Sequence, residues 1–361
     1  MPIIRSVLLG AAVAVAALTV AATALPRLRS KSAWIRMWDF PRLQIAVLGS
    51  AALVPIAGKA RTRAWPWRLA ATFLGTAVAF QWSRIWHYTP LAPREVEDAR
   101  SPRGERTISL VVANVLQHNR DAARVRRVVE EADPDVILFA ETDRWWCDQL
   151  ASFARTHPYR VEVPLDNLYG MALYSRLALA DEHVEHLCEP GIPSIHARVR
   201  LRDGSWIFLH CMHPRAPAPD KSRDSLERDT ELVRLAYRVR DAGCPVIVCG
   251  DLNDVAWSRT TRQFQRISRL LDPRRGRGFY STYPAHAPGL RFPLDHFFHS
   301  EHFRLRTLRV LPPIGSDHFA VLARLSYEPS AEHSQEPPHA STEDAREARE
   351  TVAASESKRR L

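Results

Sequence analysis

Apolar positions fall into two textures along the chain. Up to residue 88 they form long unbroken runs, and beyond residue 106 they form short β-branched runs with helix-periodic segments between them. The run over 7–25 carries no charge and is long enough to cross a bilayer core of about 30 Å as a helix. The run over 43–58 is shorter, with Pro55 near its end; a third starts at Leu69 and passes Trp82, where Arg84 can snorkel toward head groups. Trp34, Trp38, Trp65, Trp67, Trp82 and Trp86 fall at the predicted edges of these runs, the level at which tryptophan collects in a membrane. The pattern predicts a membrane anchor of about three transmembrane helices over residues 1–88. A cleaved signal peptide is the alternative for the first run, because Arg5 precedes it and Ala22-Thr23-Ala24 resembles a cleavage site. Two further apolar runs directly behind it favour the anchor.

The loops divide their basic residues almost evenly. Arg27, Arg29, Lys31, Arg36 and Arg42 lie in the first, and Lys59, Arg61, Arg63 and Arg68 in the second, so the positive-inside rule barely discriminates. With a short cytoplasmic N-terminus, three spans put everything after residue 90 outside the cytoplasm. The expectation is a multi-pass cell-membrane protein with an extracytoplasmic catalytic domain.

Residues 89–105 are rich in proline and charge and read as a linker. From Thr107 the segments ISLVVANV and DVILFAE read as buried strands, separated by a helix over 121–131 with Val125, Val128 and Val129 on one face. MALYS, IHARVRL and WIFLHCMH alternate as sheet strands do. Helical spacing returns over 225–242 through Leu226, Leu232, Val233, Leu235 and Val239. PVIVCGD follows, then a helix from about Ser258, then LDHFFHS, LRTLRVL and HFAVLARL as late strands. Strands outnumber helices, which predicts an α+β layered sandwich over 106–328, with sheets packed together and helices outside. The 329–361 tail has almost no large apolar residue after Tyr327 and is expected to be disordered, a short helix over 342–352 being the alternative. There is no internal repeat.

A net charge of +10 and a pI near 9.8 favour acidic partners such as nucleic acid, anionic lipid or phosphorylated substrates, without choosing among them. The five cysteines are odd in number and include no CxxC pair, which argues against a zinc knot. Cys211 and Cys249 lie inside apolar runs and read as small buried hydrophobes.

Polar residues gather at the ends of the apolar strands: Asn114, Glu141, His213, Asp251 with Asn253, Asp295, and Asp317 with His318. Any one of these is ordinary for a turn or helix cap. Six strand ends carrying mostly carboxylates and histidines are better explained by phosphate-ester hydrolysis. A hard cation such as Mg²⁺ offsets the anionic oxygens that shield phosphorus, a carboxylate orients and deprotonates water, and a protonated histidine backed by a carboxylate meets the developing charge.

The segments VVANV, ILFAETD, YGMALYSR, HCMHPRAP, VIVCGDLND, LDHFF and GSDHFAV resemble, in order, those of the endonuclease/exonuclease/phosphatase family, over about residues 107–325. The resemblance implies a four-layer α/β/β/α sandwich and a Mg²⁺ (or Mn²⁺) cofactor. It implies Glu141 as the main metal ligand helped by Asn114, with Asp317 as a second metal-side or water-orienting carboxylate. Asp251 would orient or deprotonate water, Asn253 would hold a phosphate oxygen, His213 would donate to one, and His318 would act at the phosphate with Asp295 as its partner. Tyr169 or Tyr174 would line the site, and His210 competes with His213. Ala113 stands where the family often has tryptophan, and Phe139-Ala140 replaces Leu-Gln before Glu141. His118, His157, His183, His186, His196, His286 and His299 read as surface or strand residues. The arginines of RRGR at 274–277 could grip a phosphate or form a solvated loop.

The anchor argues for a lipid-linked phosphorylated substrate, such as a polyprenyl or inositol phosphate or a sphingomyelin-like lipid. A membrane-tethered nuclease is the runner-up, and the basic charge suits it. A non-catalytic scaffold on the same fold would have lost ligand positions, and none is missing.

Overall fold

The computed structural model describes residues 2–28, 30–61, 64–100, 104–217 and 224–360. Arg29, Arg63 and part of the predicted linker, 101–103, lie outside them. Helices α1 (Pro2–Ala24), α2 (Ala33–Arg36), α3 (Arg42–Ala60) and α4 (Trp65–Ile85) come first. Then follow β1 (Thr107–Asn114), α5 (Ala122–Ala132), β2 (Val136–Ala140), α6 (Arg144–Leu150), β3 (Tyr159–Val163), β4 (Met171–Ser175) and β5 (Leu179–Glu185). The second half runs β6 (Ser194–Arg200), β7 (Trp206–Met212), α7 (Leu226–Asp241), β8 (Val246–Asp251) and α8 (Arg259–Ser268). It closes with β9 (Asp295–His299), β10 (Phe303–Pro313), β11 (Phe319–Tyr327) and α9 (Thr342–Arg360).

Among the described residues the strands form two mixed sheets, ordered β10-β11-β1-β2-β4-β3 and β5-β6-β7-β8-β9. The two-residue period of a strand explains how each sheet is buried on both faces. Leu110, Val112, Val136 and Leu138 point between the sheets, where they meet Ile195, Leu209, Cys211, Ile247 and Phe297. Their neighbours Val111, Ala113, Ile137 and Phe139 point outward and are covered by Val125, Val128 and Val129 of α5 and Trp146 and Leu150 of α6. On the other side Met212, Val246 and Val248 lie under Leu232, Leu235 and Ala236 of α7 and Phe264 and Ile267 of α8. The result is the four-layer α/β/β/α sandwich. Each such aliphatic side chain contributes about 1.5–3 kcal/mol on burial. Side-chain caps start the outer helices: Asp121 accepts from Arg124 N (3.1 Å), Asp143 from Trp146 N (2.8 Å) and Ser258 from Thr261 N (3.0 Å).

Helices α1, α3 and α4 pack as a bundle around Ala12, Ala16, Ala52, Ile56, Leu74 and Val78. Two segments, Ser6–Arg27 and Arg42–Ala60, are long and apolar enough to cross a membrane; the third helix, with Arg68, Gln81 and Arg84, falls short of that standard. The bundle is docked on the sandwich. Trp257 Nε1 donates to Asp39 O (2.7 Å), Tyr88 OH to Ala256 O (2.9 Å) and Arg36 Nη2 to Thr260 Oγ1 (2.6 Å). Phe40, Leu43 and Trp82 close an apolar seam against Trp257, Tyr283 and Phe292.

Two expectations are corrected here. The arginines at 274–277 are neither a solvated loop nor a phosphate grip. Arg274 is buried on Asp272 (2.8 Å), Arg275 pairs with Glu95, and Arg277 bonds Val96 O (2.6 Å) and Asp98 (2.7 Å), so they fasten the connection from the bundle. The tail, expected to be disordered with a short helix over 342–352 as the alternative, forms the longer helix α9 on α7, with Ala348 fully buried. Polar bonds replace the missing apolar area: Asp344 pairs with Arg266 (2.6 Å), and Gln263 Nε2 donates to Asp344 O (2.9 Å). Ser341 and Asp344 form a capping box, Asp344 N donating to Ser341 Oγ (3.1 Å) and Ser341 N to Asp344 Oδ2 (2.9 Å). Removing the box with Ser341→Ala is expected to cost about 1 kcal/mol. Thermal melting of the full chain should show it as a lower Tm; an unchanged Tm would mean that α9 is not started by this cap.

Candidate active site

Topology brings the polar strand ends together. The parallel pairs β1/β2 and β7/β8 run their C-terminal ends to the same side of their sheets. Strands β9 and β11 run antiparallel to β8 and β1, so their starts lie beside those ends; Asp295 is the register partner of Asp251. Asn114, Glu141, His213, Asp251, Asp295, Asp317 and His318 therefore come from both sheets to one edge of the sandwich.

Close approach there depends on unusual backbone. Gly250, just before Asp251, has φ +144°, and a Cβ on it would sit 1.9 Å from Met212 O. Glu141 has φ +62°, a left-handed conformation that ordinary residues rarely hold and that concentrates at functional sites. Asn253 has φ +51°, which asparagine tolerates best.

Asn114 ties the two main carboxylates. Its Nδ2 donates to Glu141 Oε1 (3.0 Å) and Asp251 Oδ2 (3.1 Å), while its Oδ1 accepts from Leu116 N (3.0 Å). In this orientation Asn114 aims Glu141 and offers no oxygen of its own. The other Glu141 oxygen accepts from Gln117 N (3.2 Å), a contact from a residue that the sequence reading missed. Asn253 N donates to Asp251 Oδ1 (2.9 Å), and its side chain is held on Pro214 O (2.9 Å).

His318 sits between two carboxylates, with Nδ1 2.9 Å from Asp295 Oδ2 and Nε2 3.6 Å from Asp251 Oδ2, under the ring of Tyr283. Burial alone would lower its pKa, but the carboxylates of Asp251 and Asp295 outweigh that and push it up to about 10. Burial, supported by Asp295, raises the Asp251 pKa, against the opposing pull of His318 and His213. His213 Nε2 lies 3.9 Å from Asp251 Oδ2.

Glu141 and Asp317 line the same cavity with hard carboxylate oxygens, the donor type that Mg²⁺ takes together with waters and substrate oxygens, so this donor set fits a hard divalent cation. Asp251, Asp295 and His318 also bring ligand atoms within 4.8 Å of one another. An imidazolium has no lone pair for a metal, so His318 in this trio is suited to donating hydrogen bonds, with Asp251 and Asp295 as acceptors, rather than to ligating an ion.

Tyr174 and His210 lie away from the site, whereas Tyr169 borders it. Tyr174 faces the outer layer of its sheet, among Phe139 and Phe153, with its hydroxyl on Glu162 (2.6 Å). It does not line the cavity, because strand alternation turns Met171 and Leu173 inward and Tyr174 away. Tyr169 packs on His213 (ring centroids 5.3 Å) and accepts from Ala216 N (3.3 Å), which steadies the HPRAP loop. His210 points to the outer face of its sheet, three residues before His213 but not beside the carboxylates. The cavity, about 560 Å³, is bounded on one side by Glu141, Asn253, Asp317 and His318. Its other wall was not foreseen: Met37, Trp38, Phe40 and Pro41 from the segment before α3, with Leu290 and Phe292. Their only sequence signal was an aromatic segment at a predicted membrane edge.

The profile of the Endonuclease/Exonuclease/phosphatase family matches residues 111–318, more than half of the chain and all of the polar strand-end residues from Asn114 to His318. The chain belongs to this family. Members are metal-dependent phosphoesterases and nucleases, and the chain is accordingly a metal-dependent phosphoric ester hydrolase. Solved structures agree on the fold. A D. rerio TDP2 complexed with single strand DNA product is 15% identical, with a TM-score of 0.51 over 61% of this chain and 99% of that one. The human Nocturnin catalytic domain with bound sulfate is 17% identical, with a TM-score of 0.51 over 65% of this chain and 97% of that one. A functionally unknown conserved protein from Enterococcus faecalis is 14% identical, with a TM-score of 0.51 over 61% of this chain and 100% of that one. No curated protein sequence matches significantly.

Gly250→Ala is expected to lower Tm by several degrees, since the conformation alone costs about 1–3 kcal/mol before the contact with Met212 O is counted. A melt of the purified variant matching the parent would mean that β7 and β8 do not meet this closely.

Proposed function

We propose that this chain is a membrane-anchored, Mg²⁺- or Mn²⁺-dependent phosphoesterase whose substrate is a phosphate ester carrying an apolar group, presented by the bilayer. One observation carries this reading: the catalytic cavity shares its wall with the apolar segment that leads into α3, a helix long and apolar enough to cross a membrane. Leu290, on the cavity rim, is 52% exposed, and its loop is tied to α3 by Gln44 Nε2 donating to Gly289 O (3.0 Å). A lipid whose phosphate reaches Glu141 and His318 would leave its apolar part against Trp38 and Phe40.

The anchor reading has physical support. Only 28% and 22% of the two apolar windows are buried within the protein, so most of their surface needs another apolar environment. Thr23, near the end of α1, accepts from Gln81 Nε2 of α4 (2.9 Å), which suits a retained helix better than a cleaved signal. With three spans and a cytoplasmic N-terminus, the catalytic domain lies outside.

In this reading Glu141 and Asp317 hold the metal, aided by Asn114 and Gln117, and the ion supplies charge neutralisation on the phosphate oxygens. Asp251 orients and deprotonates the attacking water. His318, held charged by Asp295, donates to the phosphate as negative charge develops, and His213 and Asn253 grip its other oxygens. A nuclease is the second reading, favoured by the net charge of +10 and by the DNA product on the TDP2 neighbour.

A hydrolysis panel in nanodiscs tests both, using a polyprenyl pyrophosphate, sphingomyelin, plasmid DNA and bis-p-nitrophenyl phosphate. Lipid cleavage is expected, abolished by EDTA and restored by Mg²⁺ or Mn²⁺. Asp251→Ala and His318→Ala should each lower kcat about 100- to 10,000-fold. Trp38→Ala should slow lipid cleavage at least about tenfold, a loss of roughly 1.4 kcal/mol in apolar contact, and spare bis-p-nitrophenyl phosphate. Cleavage of plasmid DNA with no lipid turnover would overturn the substrate assignment in favour of the nuclease.

A further inference from the structure

Three histidines stand in line across the outer face of the second sheet, away from the catalytic edge. His183 on β5 is the register partner of His196 on β6, and His196 is the partner of His210 on β7. A bulge in β5 at Asp181, with φ +53°, brings His183 into this line, and bulges commonly serve to re-aim a side chain. The ladder lies in a cavity of about 320 Å³ that also holds Asp181, Glu185, Arg198 and Arg238. His196 and His210 are almost wholly buried, whereas the His183 side chain is 52% exposed, so the line leads from the interior to solvent.

The hydrogen inventory leaves a lone pair at its centre. Ser194 Oγ lies 3.3 Å from Glu185 O and 2.8 Å from His196 Nε2; with its one hydrogen on Glu185 O, it accepts from His196 Nε2–H. His196 Nδ1 is then a bare acceptor, and 2.6 Å away it meets Nδ1 of His210. Metal-ligating imidazoles are commonly anchored in this way, the ring nitrogen away from the metal giving its hydrogen to a neighbouring oxygen. Burial, reinforced by Arg238, pushes both histidines down to about 3 and keeps them in the neutral form that ligation requires.

We infer that His196 and His210, joined by His183, form a site for a borderline transition-metal ion such as Zn²⁺ or Cu²⁺, separate from the hard-cation site at Glu141. Ligand bonds of about 2.0 Å set roughly 3.3 Å between two tetrahedral ligand nitrogens, so the pair parts by roughly 0.7 Å and the His210 proton moves from Nδ1 to Nε2. His183, now holding Asp181 O (2.8 Å) and Glu185 (3.2 Å), turns its exposed ring to supply the third nitrogen. The carboxylates are already matched, Glu185 by Arg238 (2.7 Å) and Asp181 by Arg198 (2.6 Å). Neutral nitrogen donors without a free carboxylate select against Mg²⁺ and for imidazole-loving ions.

The test is a titration of the full-length protein, carrying Glu141→Gln to silence the catalytic cation site, with Zn²⁺ alone by calorimetry and with Cu²⁺ by electron paramagnetic resonance. One equivalent of Zn²⁺ is expected to bind, and the Cu²⁺ spectrum should carry coupling to at least two imidazole nitrogens. His196→Asn should weaken Zn²⁺ at least about tenfold. The exposed His183→Gln should do the same with an unchanged thermal melt, and Arg238→Gln should tighten binding by removing a nearby positive charge. Equal Zn²⁺ affinity in the parent, His183→Gln and His196→Asn proteins would overturn the assignment, as would a Cu²⁺ signal with fewer than two coupled nitrogens.

Discussion

A carboxylate as deeply enclosed as Asp251, 1% exposed, stays compatible with folding only while hydrogen-bond donors and positive charge surround it. Asn114, the backbone of Asn253 and the rings of His213 and His318 fill that role from four different strand ends. Meeting this demand determines how the two sheets come together at their edge. It accounts for the absent Cβ at Gly250 and draws Asp295 in behind His318. Two of these residues, Asn253 and His318, also line the cavity, so satisfying one buried charge helps to shape that edge.

The bundle is part of that edge rather than an appendage. Arg42, buried in α3, donates to Gln81 Oε1 (2.8 Å) and pairs with Asp39, whose backbone oxygen in turn accepts from Trp257. A buried ion pair of this kind specifies geometry more than it adds stability. Here it orients the turn that carries Trp38, Phe40 and Pro41 into the cavity wall. The cavity therefore sets the carboxylates of Glu141 and Asp317 beside an apolar surface. That juxtaposition underlies the proposed preference for amphipathic phosphate esters.

Much of the reactive edge was legible from the chain alone. A β-branched run can be read as a buried strand, and a carboxylate or histidine at its end stands out because it interrupts the apolar pattern; Glu141, His213, Asp251, Asp295 and His318 are singled out this way, and the fold brings them to one edge. Gln117 escaped because it contributes through its backbone N–H, to which side-chain identity is blind. Tyr174 was misjudged because choosing between two faces of a strand needs the partner layers. The tail was misjudged because its large-residue content is low, while the bonds that order it run to Arg266 and Gln263, some 80 residues earlier.

The chain by itself determined the order of elements, the family and which polar residues end the apolar strands, since these depend on local periodicity and on residue types at strand ends. Only the tertiary structure decided which side chains face each other: the cavity wall from residues before α3, the arginines spent on the linker, the amide orientation of Asn114 and the line of three histidines. The physical reason is that register, sheet packing and buried-charge pairing join residues far apart in sequence, and a one-residue change of face is invisible until both partners are in place.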